Sequence, residues 1–444
     1  MKRLLTQPSV LVTLSPTTYY GGADSISYSI YYALKSLGYD VYPYHIEGSN
    51  YARSTMFSHS TMFLSAEITN MMSKTIDKML QRTEKIIAIS TFPQYTYHLL
   101  KLKGRYNNKL IVLWRPGGND FLCPLHNEVC PYSPQEIAYG FSTSPQFFLT
   151  KCIWHMLKIR KFSLYSTLIW PSLRILAKQR LDGLLASRSI YIEGCKRIGY
   201  ERCFYIGFGI DTARFKPRDK AIIIEHLVNS NILNSVKSNI LLGELRTFII
   251  DVHDPNTMVF GFIGSTRPRW KNVELLIKVF AQLKKIEQQL VGERKLNLKL
   301  IIIARDADLL VPSIHQYSSY LEDSILVIRR IPHQYIHYFY NLIDIFVNPS
   351  LLDSLEVNTL EALASGNIVL ASNRGSIKDL ERLGIKVIRF EPREKELVQT
   401  IINLVNDLDK IRKIYKNNLN IFKKAFDLNA FAKRLDRALQ ELVS

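Results

Sequence analysis

The sequence predicts an α/β protein made of two doubly wound units in tandem, each a parallel sheet covered by helices. Two observations support this fold class. Short continuous apolar segments, typical of strands buried on both faces, alternate along the chain with stretches of helical periodicity. The chain is 444 residues long, whereas a single hydrophobic core stops growing at roughly 250–300 residues. Two domains are therefore expected.

In the first half, five apolar runs have the length and composition of buried strands. They are Val10–Ser15, Val41–His45, Ile86–Ser90, Leu110–Trp114 and Leu184–Ser187. A glycine-containing turn follows the first run, and helical periodicity then covers Ser25–Leu37 and ends at Gly38. This succession of strand, turn and helix is typical of a parallel α/β unit.

The same rhythm returns in the second half. Its predicted strands are Val259–Ile263, Leu298–Ala304, Ile325–Ile328, Ile345–Val347, Ile368–Ala371 and Lys386–Ile388. Residues 211–254 are rich in Asn, Ser and Lys and are predicted to connect the two units with one extra helix. Residues 429–443 keep apolar side chains at helical spacing, which predicts a terminal helix.

Composition excludes several classes of protein. With 47% hydrophobic and 22% charged residues, the chain is neither disordered nor fibrous. No apolar run approaches the ~18–20 residues that span a membrane. Met1–Leu5 imitates the start of a signal peptide, but Gln7 and Pro8 interrupt it. Five cysteines are too few for a disulfide scaffold, so a cytoplasmic location is expected.

The positive charge is concentrated in the first half. Residues 1–218 hold 27 basic and 13 acidic side chains, a net charge of +14, whereas residues 219–444 hold 31 and 26, a net charge of +5. Such an excess indicates an anionic partner of the first half, which could be a membrane surface, a nucleic acid or a phosphorylated substrate. The alternative is that the charge serves solubility alone.

Two carboxylates follow a predicted strand in the second half. The predicted strand Ile345–Val347 leads into Asn348-Pro349-Ser350, a loop then holds Asp353, and a helix that carries Glu361 ends before Gly366. Ligands of open α/β folds bind at the carboxyl ends of the strands. Both carboxylates are therefore placed where they could accept hydrogen bonds from sugar hydroxyls.

Two glycine-containing turns each lie between a predicted strand and a predicted helix. After Gly264, the residues Arg267, Arg269 and Lys271 gather three cations before a predicted helix, where they oppose the helix dipole unless an anion binds. Gly21 and Gly22 follow the first strand of the chain and precede its first helix. An exposed basic turn and an ordinary glycine turn are the alternatives.

Taken together, these segments resemble the family-four, or group-one, glycosyltransferases of the GT-B fold. Pro349-Ser350 and the run Glu361-Ala-Leu-Ala-Ser-Gly366 are similar to that family's signature. Residues 38–41, 182–187 and 209–217 add weaker matches in the expected order. The resemblance implies two Rossmann-like domains that face a central cleft. It implies an acceptor-binding domain over residues 1–215, a donor-binding domain over 216–428, and a helix over 429–444 that packs back on the N-terminal domain.

The resemblance also implies a role for each candidate residue. Glu361 would hold the ribose of a nucleotide-sugar donor, and Asp353 would contact the transferred sugar, with Glu356 as a nearby alternative. Family members hold the donor diphosphate through an Arg directly after the glycine and through a later Lys. Lys271 fits the Lys. Ser265 stands at the Arg position, so that Arg267 or Arg269 would supply the charge. The loops at Gly264 and at Gly21 and Gly22 would approach the diphosphate.

The activity implied is hexosyltransferase-like transfer of a sugar from a nucleotide-diphosphate sugar, UDP- or GDP-linked, with retention and without a metal or other cofactor. The acceptor is unidentified, and a lipid-linked or saccharide acceptor is favoured. Asp353 and Ser265 depart from the family pattern and motivate one alternative, a GT-B protein that binds but does not catalyse. The charge of the first half motivates another, a transferase that acts on nucleic acid.

Three further features are open to two interpretations. Residues 137–181 contain seven Lys or Arg and no acid. This composition suits contact with the anionic inner face of a membrane. The alternative is a pair of helices that pack into the core. Arg115 could bind an acceptor phosphate and Asp120 could act as a base, but a turn after a strand explains both. Cys123, His126 and Cys130 lack a fourth zinc ligand, so that loop packing or a local disulfide is favoured over a metal.

Overall fold

The computed structural model describes residues 8–14, 22–44, 66–116, 170–197, 199–237, 240–266, 271–287, 296–317, 321, 324–351 and 355–443. The chain divides into two compact units. The first comprises Met1–Gly209 with Leu428–Ser444, and the second comprises Ile210–Asp427. Among the described residues, no helix combines the length and the apolar character needed to cross a membrane.

The strands, numbered along the chain, form two sheets. They are β1 Ser9–Thr13, β2 Val41–Tyr44, β3 Ile86–Ser90, β4 Leu110–Trp114, β5 Gly183–Ala186, β6 Cys203–Tyr205, β7 Ile240–Leu242, β8 Thr257–Gly264, β9 Asn297–Ala304, β10 Ile325–Ile328, β11 Ile345–Asn348, β12 Ile368–Ser372 and β13 Ile388–Phe390. Those of the first unit pair in the order β2-β1-β3-β4-β5-β6 and those of the second in the order β13-β12-β11-β8-β9-β10-β7.

Helices cover both sheets. They are α1 Gly22–Ser36, α2 Ala66–Leu80, α3 Pro93–Tyr106, α4 Trp170–Arg180, α5 Ser189–Arg197, α6 Lys220–Asn229, α7 Ile232–Lys237, α8 Leu245–Asp251, α9 Val273–Lys285, α10 Val311–His315, α11 Ile336–Leu342, α12 Val357–Ala364, α13 Lys378–Arg382, α14 Glu394–Asn406, α15 Leu408–Phe426 and α16 Leu428–Val443. Single 3-10 turns occur at Asn107–Lys109, Ala307–Leu310, His333–Tyr335 and Gly375–Ile377.

In the first unit, every described strand pairing is parallel. Strands β1 and β3 are neighbours in the interior of the sheet and are buried along their whole length, which agrees with their mainly apolar sequences. The predicted doubly wound architecture of this half is therefore confirmed.

Helix α16 belongs to the first unit although it comes last in the sequence. The hydroxyl of Tyr39 donates to Oδ1 of Asp436 at 2.6 Å, and Nε of Arg434 donates to the carbonyl of Ile206 at 2.8 Å. A side chain at Gly209 would clash with the ring of Phe431, because a Cβ there would lie 2.7 Å from a ring carbon. Hydrogen bonds and close packing thus fix this helix to the first unit.

The second unit contains a larger sheet. Its strands are parallel except β7, which pairs antiparallel with β10 at the edge. Along the chain, β8 is followed by β9 and β10 on one side of the sheet and by β11, β12 and β13 on the other. The strand order therefore reverses between β8 and β11, and such a switch point is where ligands bind in open α/β sheets.

Two sequence predictions need correction in the second unit. Residues 211–254 hold three helices and the strand β7 rather than one helix, because Ile240–Leu242 is too short a run to be distinguished from a loop. The last strand is Ile388–Phe390 rather than Lys386–Ile388. The side chain of Asn418 binds both the N–H and the carbonyl of Lys386, and these backbone groups are therefore not used for strand pairing.

Candidate functional site

The candidate site of the second unit lies at the carboxyl ends of β8 and β11, next to the switch point. Strand β8 ends at Gly264, and β11 ends at Asn348, after which the chain leads to α12. A 2.6 Å hydrogen bond from Nδ2 of Asn358 to the carbonyl of Ile263 joins the first turn of α12 to the end of β8. A Cβ at Gly264 would lie 3.1 Å from Nδ2 of Asn358, so this position has little room for a side chain.

Glu361 lies on α12 and is 7% exposed. Its Oε2 accepts a 2.9 Å hydrogen bond from the hydroxyl of Tyr340, and its Oε1 lies 3.7 Å from Nε2 of His333. Burial, and then the negative charge of Glu361, raise the pKa of Tyr340 well above its ordinary value. The hydroxyl therefore remains protonated and keeps donating to the carboxylate.

The surroundings of this carboxylate are aromatic and basic. The ring of Phe215 meets the ring of Tyr340 edge-on at 5.8 Å between centroids. Nη1 of Arg214 lies 3.3 Å from Nδ1 of His333. Burial, followed by the charges of nearby arginines, lowers the pKa of His337 to about 4, so its imidazole is neutral at pH 7. Arg214 and Phe215 belong to the segment 209–217 that resembles the family, but no site role was predicted from the sequence for them, for His333, for His337 or for Tyr340.

Lys271 forms an ion pair with Oε2 of Glu356, the residue that precedes the first turn of α12. Lys271 is 8% exposed, and Glu356 contributes to the raised pKa of Tyr340. Lys271, Glu356, Tyr340 and Glu361 therefore form one electrostatic cluster. In this structure the cation predicted to bind a diphosphate is held by a carboxylate of the same site.

Asp306, which follows β9, fixes the turn after Gly264. Its Oδ2 accepts from the hydroxyl of Ser265 at 3.0 Å, and its Oδ1 accepts from the backbone N–H of Thr266 at 2.7 Å. These bonds join the ends of two neighbouring strands. Asp306 was not predicted as a site residue, although an acid two residues beyond the end of a buried strand lies at the edge where ligands bind.

Helix α9 begins at the same edge of the sheet. Asn272 precedes it in the left-handed conformation, at φ 55°, and Nδ2 of Asn272 donates to the carbonyl of Pro349 at 3.3 Å. The amino end of a helix of thirteen residues is thereby held beside Lys271. Free N–H groups and the helix dipole favour a negative charge there.

Residues 257–407 match the family model described as "Glycosyl transferases group 1". This region is a group 1 glycosyltransferase domain. The family resemblance inferred from the sequence is therefore confirmed. A comparison with curated proteins gave no match.

The glycosyltransferase domain and the first unit together have the fold of solved structures that cover nearly the whole chain. Sucrose-phosphate synthase from Thermosynechococcus elongatus has a TM-score of 0.65 at 14% identity, with 98% of this chain and 99% of that chain covered. The catalytic domain of starch synthase IV from Arabidopsis thaliana, bound to ADP and acarbose, has a TM-score of 0.64 at 12% identity, with 99% of each chain covered. Anabaena HepE in complex with UDP has a TM-score of 0.59 at 14% identity, with 98% and 100% covered. The GT-B fold is confirmed.

The glycosyltransferase domain brings together Gly264, Lys271, Glu356 and Glu361 of the predicted site. Asp353, Arg267, Arg269 and Gly21 lie outside the described residues, as do Asp120, Cys123, His126 and Cys130. Gly22 belongs to the first unit, where it is the first residue of α1 rather than part of a loop. Within the described ranges, His, Cys, Asp and Glu side chains form no group of three that could hold a metal ion.

Proposed function

We propose that this glycosyltransferase moves a sugar from a nucleoside diphosphate sugar to a lipid-linked or saccharide acceptor with retention of configuration. The observation that carries the proposal is the buried Glu361, held by Tyr340 beside Lys271 at the switch point of the second sheet. A carboxylate with one oxygen fixed by the protein is suited to accept hydrogen bonds from vicinal hydroxyls. A cation at a helix amino terminus is suited to a diphosphate.

In this proposal, Glu361 accepts from the ribose hydroxyls, and Lys271 with the amino end of α9 contacts the diphosphate. Arg267 and Arg269 add positive charge to the same turn, and the backbone N–H groups of Gly21 and Gly22 are further candidates for contact with the diphosphate. Asp353 contacts the transferred sugar, with Glu356 as the second candidate. The diphosphate would displace Glu356 from Lys271, which would leave the Glu356 carboxylate available to a sugar hydroxyl.

Catalysis would be mainly electrostatic. As the glycosidic bond to the diphosphate breaks, negative charge develops on the departing phosphate oxygens. Cations and helix N–H groups already oriented toward that position stabilise the transition state more than the ground state. Such a mechanism requires neither a bound metal nor another cofactor.

The proposed donor is a UDP- or GDP-sugar. HepE has been captured with UDP and with UDP-glucose, and starch synthase IV with ADP, so nucleoside diphosphates bind proteins of this fold with different bases. The proposed location is the cytoplasm. A peripheral site at the inner face of the membrane would involve the basic stretch 137–181. Of that stretch, the structure describes residues 170–181, in which Leu173 and Ala177 pack into the core of the first unit.

A second candidate is a binding protein that has lost catalysis. One observation favours it: Ser265, which stands where the family has an Arg, is hydrogen-bonded to Asp306 and brings no positive charge to the turn. Turnover of a donor by the purified chain separates the two candidates, because a binding protein would be stabilised by nucleotide without consuming any donor.

The test is a thermal-shift screen with nucleoside diphosphates and their sugars, followed by turnover assays with the donor that stabilises most. Lys271→Met and Glu361→Gln should each remove the nucleotide response. Lys278→Met, at an exposed lysine of helix α9, should keep it. A nucleotide response that survives both site substitutions would refute this donor site.

A further inference from the structure

A pair of buried arginines lies at the carboxyl edge of the first sheet. Arg115 directly follows β4, and Arg188 follows the neighbouring strand β5 by two residues. Arg115 is 1% exposed and Arg188 is 7% exposed. Arginine is almost never buried to this degree unless its charge is paired.

The two guanidinium groups share one aromatic ring. The central carbon of each lies 5.5 Å from the ring centroid of Phe208. Nη1 of Arg188 also donates to the hydroxyl of Tyr191 at 2.8 Å. The charge of Arg188 lowers the pKa of Arg115, so the two cations lie near enough to repel each other.

Arg115 is not neutralised by the described part of the chain. No described carboxylate forms an ion pair with it, and its Nε and Nη1 are buried without a hydrogen-bond partner. Burial, and then the charge of Arg188, lower the pKa of Arg115 to about 9. The surroundings therefore disfavour the charged guanidinium, although it is still charged at pH 7. A buried donor without an acceptor lowers the stability of the folded state, and the loss is larger when the donor is charged. An anion that binds there would remove this cost.

We propose that Arg115 and Arg188 bind a phosphate group of the acceptor. The proposal rests on the glycosyltransferase function proposed above, because it assigns the substrate class of the first unit. Two arginine forks match the geometry and the double charge of a phosphate better than the single charge of a carboxylate. The backbone N–H of Arg115 donates to the carbonyl of Ser90 at 2.8 Å. This bond holds Arg115 at the edge of the sheet where ligands of α/β folds bind.

The test uses the full chain with Lys271→Met as the background, which weakens phosphate binding at the donor site. Thermal unfolding is followed with rising inorganic phosphate, and with acetate at equal ionic strength. Phosphate should raise the melting temperature and acetate should not. Arg115→Met should weaken the apparent phosphate affinity roughly 10-fold or more. Arg202→Met, at an exposed arginine of the same unit, should keep the full response.

Stability provides a second readout. Arg115→Met removes a buried charge and should unfold no earlier than its parent, and Arg115→Lys should retain part of the phosphate response. An unchanged phosphate response in Arg115→Met, or an equal response to acetate, would overturn the proposal.

A turnover assay then distinguishes a phosphate on the acceptor from free phosphate. A sugar phosphate should serve as acceptor better than the same sugar without phosphate, and inorganic phosphate should compete with it. If nucleotide binds through Glu361 but phosphate has no effect, the phosphate site at Arg115 and Arg188 is refuted and the proposed function is not. If phosphate binds through Arg115 but no nucleotide response depends on Glu361, the proposed function fails and the acceptor assignment fails with it.

Discussion

The hydroxyl of Tyr340 donates a hydrogen bond of 2.9 Å to Oε2 of Glu361, and both side chains are buried. One oxygen of the carboxylate is therefore held by the protein. The other, Oε1, lies 3.7 Å from Nε2 of His333. Tyr340 is a positioning residue in this arrangement, because it fixes the orientation of the carboxylate proposed to bind the ribose.

Tyr340→Phe should weaken donor binding more than it slows catalysis. The buried carboxylate of Glu361 loses the hydroxyl that donates a hydrogen bond to it, which should lower the free energy of unfolding by about 1–3 kcal/mol. Because the carboxylate then loses its fixed orientation, the KM for donor should rise while kcat changes less. Steady-state kinetics and urea unfolding measure both effects. Tyr335→Phe, on the preceding turn, is the control; equal KM values in the two variants would contradict the role of Tyr340.

Lys271 and Glu356 should be coupled in stability but not in activity. Lys271→Met leaves a largely buried carboxylate unpaired and should cost on the order of 3 kcal/mol of stability. Turnover should fall roughly 100- to 1,000-fold, since a cation at the departing phosphate is lost. The double variant Lys271→Met with Glu356→Gln should recover much of the stability and none of the turnover. Recovery of turnover would show that Lys271 acts only as the partner of Glu356.

Asp306→Ala should loosen the turn that follows Gly264. Asp306 accepts hydrogen bonds from the hydroxyl of Ser265 and from the backbone N–H of Thr266. Without these bonds, the turn proposed to bind the diphosphate is no longer held in place. We expect weaker nucleoside diphosphate binding, measured by calorimetry, with the fold retained. Asp308→Ala is the matched control, because Asp308 pairs with Arg329 at an exposed position and such pairs contribute little. Identical affinities in the two variants would exclude this role of Asp306.

Acid should destabilise the second unit through His337. Its pKa is lowered to about 4 by burial and by the charges of Arg218, Arg214 and His333, whereas an unfolded histidine has a pKa of about 6.5. Between these values the unfolded state binds more protons, so the free energy of unfolding falls as pH drops, by up to about 1.4 kcal/mol per pH unit. His337→Phe keeps the aromatic ring and should reduce this slope. Urea unfolding at several pH values between 7 and 4 measures it, and an unchanged slope would assign the acid sensitivity to other groups.

Local sequence signals predicted those parts of the fold that local interactions determine. The continuous apolar runs at Ile86–Ser90 and Leu110–Trp114 became strands with the predicted bounds. Gly366 has φ +88° and follows Ser365, the residue that caps α12, which agrees with the predicted helix end. The three-residue strands β6 and β7 were not predicted. Their extended conformation depends on pairing with neighbouring strands rather than on their own composition.

The candidate site was only partly predictable for a related reason. Glu361 and Lys271 stand within recognisable motifs. Tyr340 and Asp306, however, contact residues 21 and about 40 positions away, so only tertiary packing places them. The pairing of Lys271 with Glu356 likewise spans 85 positions. Spacing along the chain cannot reveal such partners.

The attachment of α16 has a consequence for synthesis. The hydrogen bond between Tyr39 and Asp436 joins residues 397 positions apart, and both belong to the first unit. A chain emerging from the ribosome contains every residue of the second unit before Leu428 has been made. The unit whose sequence begins first is therefore completed last. Helix α16 packs against α1. During translation, this surface of α1 therefore stays uncovered until α16 has emerged.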